Sequence, residues 1–222
     1  MKILRIDEIE VSKEKVERDK LFSVYVLGLP RSGTSLMTNI CGLLGVNMVH
    51  TTEEIEKTQK RNELIKERFG EYHPNKDGFF EITENFFSNY LKVVSSPYSG
   101  CKMIIPVTFY RMEVMKSYPS KVIMMWRHPE EIRQSQIAFY NKKNPAPSLL
   151  NSLLIQQKQQ LELNKLDFII VHYRELLENS IVELKRIKKF IRSDIDISLA
   201  LKAINPKRNR FKSEELDASV KS

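Results

Sequence analysis

FSVYVLGLPRSGTS, which spans residues 22–35, decides the fold of this chain. Its first six residues, 22–27, form an apolar run that predicts a buried β-strand. Residues 34–45 carry apolar side chains at helical spacing, and Gly28 and Gly33 between the two elements have the spacing of a phosphate-binding loop. Backbone N–H groups at such a helix start converge on one concavity, where the helix dipole adds positive potential. The stretch therefore predicts a strand, an anion-binding loop and a helix.

Three further apolar runs predict β-strands at residues 102–105, 121–126 and 167–172. Helical patterns separate these runs, including one over residues 147–166. Strands that alternate with helices favour a mostly parallel sheet. We therefore expect an α/β protein with the three-layer fold of P-loop nucleotide triphosphatases, in which helices flank a mostly parallel central sheet. The whole chain, residues 1–222, is short enough to form a single domain.

Four other segments are predicted from composition and spacing. Residues 1–20 form an N-terminal extension that fits an edge strand and an amphipathic helix equally well. Residues 52–69 and 79–94 predict a charged, solvated helix and an aromatic-rich helix. The polar and basic residues 205–222 predict either a flexible tail or a lid that a ligand orders.

Composition narrows the classes of ligand and compartment. The formal net charge of +8 favours anionic ligands, which include nucleotides, nucleic acids and acidic membranes. No stripe of basic residues with interleaved aromatics is evident, which argues against a nucleic-acid partner. The two cysteines, Cys41 and Cys101, lack metal-ligand spacing and indicate a reducing compartment. No apolar run approaches the roughly 18 residues that span a bilayer, so we expect a soluble, cytoplasmic protein without a membrane span.

The phosphate loop differs from that of nucleotide triphosphatases at one informative position. Thr34 follows the second glycine, where those enzymes place the lysine that binds the γ-phosphate. Arg31 inside the loop offers a forked donor that suits a tetrahedral oxyanion. The strand ends at 124–127 (MMWR) and 170–173 (IVHY) supply no carboxylate to anchor magnesium. These features favour group transfer without a metal over nucleotide hydrolysis, although an ordinary tight turn is the plain alternative.

The loop PRSGTS, residues 30–35, resembles that of the sulfotransferase family, and its arginine is similar to the tyrosylprotein and bacterial branches. The resemblance implies that the loop binds the 5'-phosphosulfate end of 3'-phosphoadenosine 5'-phosphosulfate (PAPS) and that Arg31 stabilises the sulfonate. The loop residues implied in binding are Arg31, Ser32, Gly33, Thr34 and Ser35. A second match is Arg127-His128-Pro129 with Ser135 eight residues after the arginine. In the family, residues at these two positions hold the 3'-phosphate.

Two further matches extend the resemblance to residues 22–176 and into the tail. Tyr173 begins a Tyr-Arg-Glu-Leu run that is similar to the family's Tyr-Glu-Asp-Leu, which implies a position near adenine. A structural tyrosine at a strand end explains the same residue. Arg208, between Lys207 and Arg210, stands where family members place basic residues on the 3'-phosphate, without their glycine-containing signature.

Sulfuryl transfer needs a general base that takes the acceptor's proton. In KMIIP, residues 102–106, Ile104 stands where the cytosolic branch has its histidine, whereas Lys102 is retained and can neutralise charge on the leaving phosphate. Residues 75–81 of this chain, NKDGFFE, resemble the bacterial segment that presents a glutamate after a glycine turn, and by this resemblance Glu81 is the hypothesised base. Flanking aromatic residues would raise its pKa by desolvation, and a first-turn helix glutamate is the alternative. His50 and His73 are reserve candidates.

The resemblance implies a sulfotransferase that moves a sulfuryl group from PAPS to a hydroxyl or amine by in-line transfer without metal. The alternatives are a non-catalytic protein that binds PAPS or its product 3'-phosphoadenosine 5'-phosphate (PAP), a P-loop nucleotide kinase, and a basic nucleic-acid binder. The sequence leaves the acceptor open among sugar, phenol, lipid, amine and peptide, and it leaves the oligomeric state open.

Overall fold

The structure, a computed structural model, describes residues 21–48, 63, 97–107, 109–140 and 145–205. Its strands are β1 (Ser23–Gly28), β2 (Asn47–Met48), β3 (Ser99–Ile104), β4 (Ser120–Trp126) and β5 (Asp167–His172). Its helices are α1 (Thr34–Leu43), α2 (Phe109–Ser117), α3 (Pro129–Tyr140), α4 (Pro147–Leu163), α5 (Tyr173–Glu178), α6 (Ser180–Phe190) and α7 (Ser198–Ala203). In the described part of the chain the strands form one sheet in the order β2-β3-β1-β4-β5, and every pair is parallel.

Two apolar cores cover the two faces of this sheet. Alternate residues of β1 point to opposite sides, so that Tyr25 and Leu27 enter one core while Val24 and Val26 enter the other. Apolar side chains of α2, α3 and α4 complete the first core, and those of α1, α5, α6 and α7 complete the second. Because parallel sheets are stable when both faces are covered, the chain forms three layers. The predicted α/β, P-loop-like fold with a parallel central sheet is confirmed.

Several element boundaries differ from the sequence prediction. The strand predicted at 102–105 is Ser99–Ile104, because Gly100 pairs with Val24 despite a low strand propensity. A Cβ atom at Gly100 would lie 2.6 Å from the Val24 carbonyl oxygen, so the close approach of the strands needs glycine. The two-residue strand β2 was not predicted, since two residues show no periodicity.

Two helices end earlier than their apolar patterns predict. Helix α4 ends at Leu163 instead of residue 166, because Lys165 takes a left-handed φ of 54° and the Leu166 amide donates back to the Leu161 carbonyl. Helix α1 ends at Leu43, and Gly45 follows with a φ of 92°. The hydrogen-bonded chain reversal after each helix, rather than side-chain polarity, sets these ends.

Several sequence predictions lie outside the described residues. They concern the extension 1–20, the helices at 52–69 and 79–94, the tail from residue 206, and the residues His50, His73, Glu81 and Arg208. The single-domain organisation also stays a prediction.

Two findings bear on the predicted environment. Within the described ranges, no helix is both long enough and apolar enough to cross a bilayer. Cys41 and Cys101 are buried, are not joined by a disulfide, and lie in the cores on opposite faces of the sheet. Burial raises the pKa of Cys41 to about 12, so this thiol stays protonated near neutral pH.

Parallel pairing brings the carboxyl ends of β1, β3, β4 and β5 to one edge of the sheet. The phosphate loop follows β1, Arg127 follows β4, and Tyr173 follows β5. Ligands of open α/β sheets bind in the crevice outside this edge. The topology therefore collects at one place residues that are more than 140 positions apart in sequence.

Candidate functional site

The loop between β1 and α1 has the backbone of an anion-binding turn. The Ser32 amide donates to the Leu29 carbonyl at 3.1 Å, and the N-cap residue Gly33 has a φ of 98°. A Cβ at Gly33 would lie 2.4 Å from Cδ2 of Tyr173, so both conformation and space require glycine here. The first N–H groups of α1 have no partner within the helix, and its first turn carries no acidic residue. The start of α1 is therefore open to an anion.

The loop closes tightly over its first glycine. A Cβ at Gly28 would lie 2.4 Å from Oγ of Ser32 and 2.7 Å from Cγ2 of Thr34. Ser32 is fully buried, and within the described residues its Oγ has no hydrogen-bond partner. A buried hydroxyl without a partner is costly to a fold. The position of this hydroxyl is explained if it donates a hydrogen bond to an oxygen of a bound ligand.

A lysine from the neighbouring strand supplies a cation to the loop. Lys102 lies opposite Val26 in the β1–β3 register and is only 2% exposed. Its Nζ donates to Oγ of Ser35 at 3.4 Å. Thr34 occupies the loop position at which nucleotide triphosphatases have a lysine, and its methyl group faces inward toward Gly28. Lys102 therefore brings a positive charge to the first turn of α1 from a different element.

Arg127, the first residue after β4, is held from several directions. Its Nε donates to Oε2 of Glu131 at 2.9 Å, and both side chains are buried. Its Nη1 donates to the Arg31 carbonyl at 3.1 Å, and its guanidinium lies 4.7 Å from the centroid of the Tyr173 ring. The same Tyr173 ring also packs closely against Gly33. The residues that follow β4 and β5 thus support the loop that follows β1.

Helix α3 makes further contacts with the loop. Arg31 donates from Nε to Oγ of Ser135 at 3.2 Å, and its guanidinium lies 4.6 Å from the Phe139 ring centroid. Gln136 is buried, and its Nε2 donates to the Pro30 carbonyl at 3.0 Å. The Arg31 side chain is therefore on the α3 side of the loop, beside Ser135.

The structure brings most of the sequence-predicted site residues together. The described ones are Arg31, Ser32, Gly33, Thr34, Ser35, Lys102, Arg127, Ser135 and Tyr173. Sequence reasoning missed Glu131, Gln136 and Phe139. A usable signal was present, because Arg127, Glu131, Ser135 and Phe139 recur every fourth residue, a spacing that places helical residues on one face.

A cavity of about 380 Å³ lies at the carboxyl ends of β4 and β5, beside Arg127. Its lining residues are Trp126, Arg127, His128, Glu131, His172, Arg174 and Glu175. Four of these side chains are basic or imidazole groups and two are carboxylates, so charged and polar groups dominate the wall. Tyr173 is buried beneath Arg127 and is not among the lining residues. Within the described ranges, no group of three or more His, Cys, Asp or Glu side chains is arranged to hold a metal.

Comparisons with solved structures give distant likenesses. Retinol dehydratase in complex with androsterone and PAP is 14% identical at a TM-score of 0.44, with 85% of this chain and 64% of that chain covered. The mouse sulfotransferase SULT7A1 complexed with PAP is 14% identical at a TM-score of 0.48, with 87% and 65% covered. Shikimate kinase from Bacteroides thetaiotaomicron is 19% identical at a TM-score of 0.45, with 77% and 98% covered. The chain thus spans less than two thirds of the first two proteins.

The family comparison is more decisive. No curated protein sequence matches this chain, and the TM-scores above all lie below 0.5, so sequence carries the classification. The family model described as the sulfotransferase domain matches residues 23–166, which is more than half of the chain. The match contains the phosphate loop, Lys102, Arg127 and Ser135. The chain belongs to the sulfotransferase-domain family.

Proposed function

We propose that this protein is a sulfotransferase that transfers a sulfuryl group from PAPS to a hydroxyl or amine acceptor. One observation carries the proposal: Arg127 and Ser135 both contact Arg31. The residues matched to the 3'-phosphate and the loop matched to the 5'-phosphosulfate are therefore parts of one site. A nucleotide that carries anionic groups at both its 5' and 3' positions accounts for this arrangement.

The residues of the loop fit the 5' end of such a donor. The start of α1 offers N–H groups and a favourable dipole, the buried Ser32 hydroxyl lacks a partner among the described residues, and Lys102 adds a cation. On the other side of the loop, Arg127 borders a cavity of about 380 Å³ that is large enough for a ribose phosphate. We place the 3'-phosphate beside Arg127 and Ser135, and the adenosine near Tyr173.

Bound PAPS supplies a sulfuryl group that is already attached to a stable leaving group, the 5'-phosphate of PAP. As the acceptor forms its bond to sulfur, the bond from sulfur to the phosphate oxygen breaks, and the electron pair leaves with PAP. Lys102 and the first turn of α1 would stabilise the charge that grows on that oxygen. The acceptor's proton passes to a base, for which Glu81 is proposed from the sequence. In this proposal the cations of the chain, rather than a metal ion, neutralise the transferred and leaving groups.

The proposal is tested by calorimetry with PAP and adenosine 5'-phosphate, in the absence and presence of magnesium. We expect wild type to prefer PAP without magnesium, and Arg127→Ala to lose about tenfold or more of that preference. Arg133→Ala is the matched control, because Arg133 lies on α3, the helix that follows Arg127, but pairs with Glu130. Equal affinity of wild type for both nucleotides, or no binding, would contradict the proposal.

Turnover separates the proposed enzyme from two of its three alternatives. Release of PAP from PAPS in the presence of hydroxyl or amine acceptors would support an enzyme. Binding of PAP without turnover of any acceptor would instead indicate a non-catalytic PAP-binding protein. Magnesium-dependent turnover of ATP would indicate a kinase. The proposed cytoplasmic location rests on cysteine usage and is checked by fractionation of the native host cells.

A further inference from the structure

We propose that Glu131 is a positioning residue that fixes the Arg127 guanidinium for recognition of the 3'-phosphate. The inference rests on the proposed function. Glu131 and Arg127 form a buried ion pair, with side-chain exposures of 4% and 7%, in which Nε donates to Oε2 at 2.9 Å. Glu131 lies in the first turn of α3, four positions after Arg127, and a carboxylate there also interacts favourably with the helix dipole.

The contacts of Arg127 show how the Glu131 carboxylate restrains the orientation of the guanidinium. A free arginine side chain samples many rotamers, whereas a planar guanidinium recognises a phosphate well only in a defined orientation. Here Glu131 holds the Nε edge, the Arg31 carbonyl accepts from Nη1, and the Tyr173 ring lies against the guanidinium face. Of these three contacts, the one with Glu131 joins two opposite charges and is buried, so it is the strongest constraint.

The negative charge of Glu131 allows a positioning role to be distinguished from a purely electrostatic one. Its carboxylate lines the cavity that borders Arg127, together with His128, His172 and Glu175. A negative charge so close to the proposed phosphate site opposes anion binding by simple electrostatics. If charge alone mattered, neutralising Glu131 would therefore tighten the binding of PAP. If Glu131 acts by holding Arg127, neutralising it weakens the binding of PAP, so the two roles predict opposite signs.

The experiment measures the affinity of Glu131→Gln for PAP and for adenosine 5'-phosphate by calorimetry. Glutamine keeps the shape and an acceptor oxygen but gives a weaker, neutral bond to Nε. We expect the preference for PAP over adenosine 5'-phosphate to fall about threefold in Glu131→Gln, and about tenfold or more in Glu131→Ala. An unchanged or increased preference in Glu131→Gln overturns the proposal. Because this variant is nearly isosteric, it decides the question even if Glu131→Ala does not fold.

A double-mutant cycle tests whether Glu131 acts through Arg127. In an Arg127→Ala background, Glu131→Gln should no longer lower the preference and should leave it unchanged or raise it, because the guanidinium that Glu131 positions is absent and only its repulsion is removed. A further fall in that background would overturn the positioning role. Glu130→Gln is the matched control, since Glu130 is adjacent but pairs with Arg133 on the helix surface. If wild type shows no preference for PAP, the proposed function fails; if wild type shows one that Glu131→Gln retains, the positioning role alone fails.

Discussion

Nζ of Lys102 lies 3.4 Å from Oγ of Ser35, so a strand next to the phosphate loop supplies the lysine that is missing from the position of Thr34. In the loop, Thr34 occupies the position after the second glycine and turns its methyl group toward Gly28. Lys102 is only 2% exposed, so its ammonium group lies in a low-dielectric position beside the first turn of α1. The arrangement is explained if Lys102 and the start of α1 bind the same anionic group.

Replacement of Lys102 by methionine should weaken PAP and adenosine 5'-phosphate by the same factor, about tenfold. Both nucleotides carry the 5'-phosphate, and Lys102 is on the 5' side of the site, so the preference between them should stay constant. Isothermal calorimetry measures both affinities. Lys121→Met is the control, because Lys121 pairs with Asp167 at the opposite edge of the sheet. A changed preference in Lys102→Met would place this lysine elsewhere in the site.

Gly33→Ala should lower the free energy of unfolding by about 2 kcal/mol and abolish nucleotide binding at temperatures where the protein stays folded. Alanine is strained at a φ of 98°, and its Cβ would displace the Tyr173 ring on which the Arg127 guanidinium lies. Urea unfolding and calorimetry measure the two effects.

Gly45→Ala is the control for the glycine experiment. Its φ is 92°, its new Cβ would lie 2.6 Å from Cδ1 of Ile195, and it follows the end of α1 that is opposite to the phosphate loop. It should destabilise the protein by a similar or smaller amount, because the end of an isoleucine side chain can shift. Nucleotide binding by the folded fraction should be retained, and its loss would show that the Gly33 result reports stability alone.

Ser32→Ala should stabilise the unliganded protein and weaken its response to PAP. The buried Ser32 hydroxyl has no partner among the described residues, so its removal should add about 1 kcal/mol, or roughly 3 °C in Tm. If an oxygen of the bound nucleotide forms a hydrogen bond with the Ser32 hydroxyl, PAP should raise the Tm of Ser32→Ala by less than it raises the Tm of wild type. Thr38→Val is the comparison, since the Thr38 hydroxyl donates to the Thr34 carbonyl and its loss should destabilise. A lower Tm for unliganded Ser32→Ala would contradict the argument.

The sequence predicted the main strands because each is a continuous apolar run that a two-sided sheet requires. It located β5 at residues 167–172 and β1 within one residue at each end. It misplaced the start of β3, because Gly100 lacks any strand propensity and is selected by the close approach of Val24. Local propensity predicts a strand correctly where the strand is a continuous apolar run. It fails at a residue such as Gly100, whose place in the strand is set by contact with the neighbouring strand.

Site residues that belong to contiguous motifs could be predicted from the sequence. Site residues that are recognised only by their tertiary contacts could not. Arg31 and Arg127 were found from their own local patterns, and the Nη1 contact with the Arg31 carbonyl joins the two patterns. Glu131 was missed because a first-turn glutamate is common on helices; its four-residue spacing from Arg127 and Ser135 is the sequence signal, and its burial beside Arg127 distinguishes it in the structure. The side of the loop on which Arg31 lies was likewise set by Ser135 and Phe139, which are about 100 residues away.

Glu130 provides a pH-dependent prediction on the same helix. Hydrogen bonds from Arg133 and, to a lesser extent, Gln134 hold the pKa of the Glu130 carboxyl below its ordinary value of 4.5. A depressed folded-state pKa contributes stability that is present above pH 4.5 and is lost as the pH falls through the folded pKa. Glu130→Gln should therefore cost about 0.5 kcal/mol at pH 7, and this difference should shrink below pH 4.5.

Urea unfolding of wild type and Glu130→Gln at pH 7 and at progressively lower pH checks this prediction. Glu113→Gln is the control, because the Glu113–Lys116 pair has side-chain exposures of 42% and 39% and solvent screens it more strongly. Its effect at pH 7 should be smaller than that of Glu130→Gln. A Glu130→Gln difference that grows as the pH falls would require a carboxyl that binds its proton more tightly in the folded protein, which is opposite to the effect of the Arg133 guanidinium.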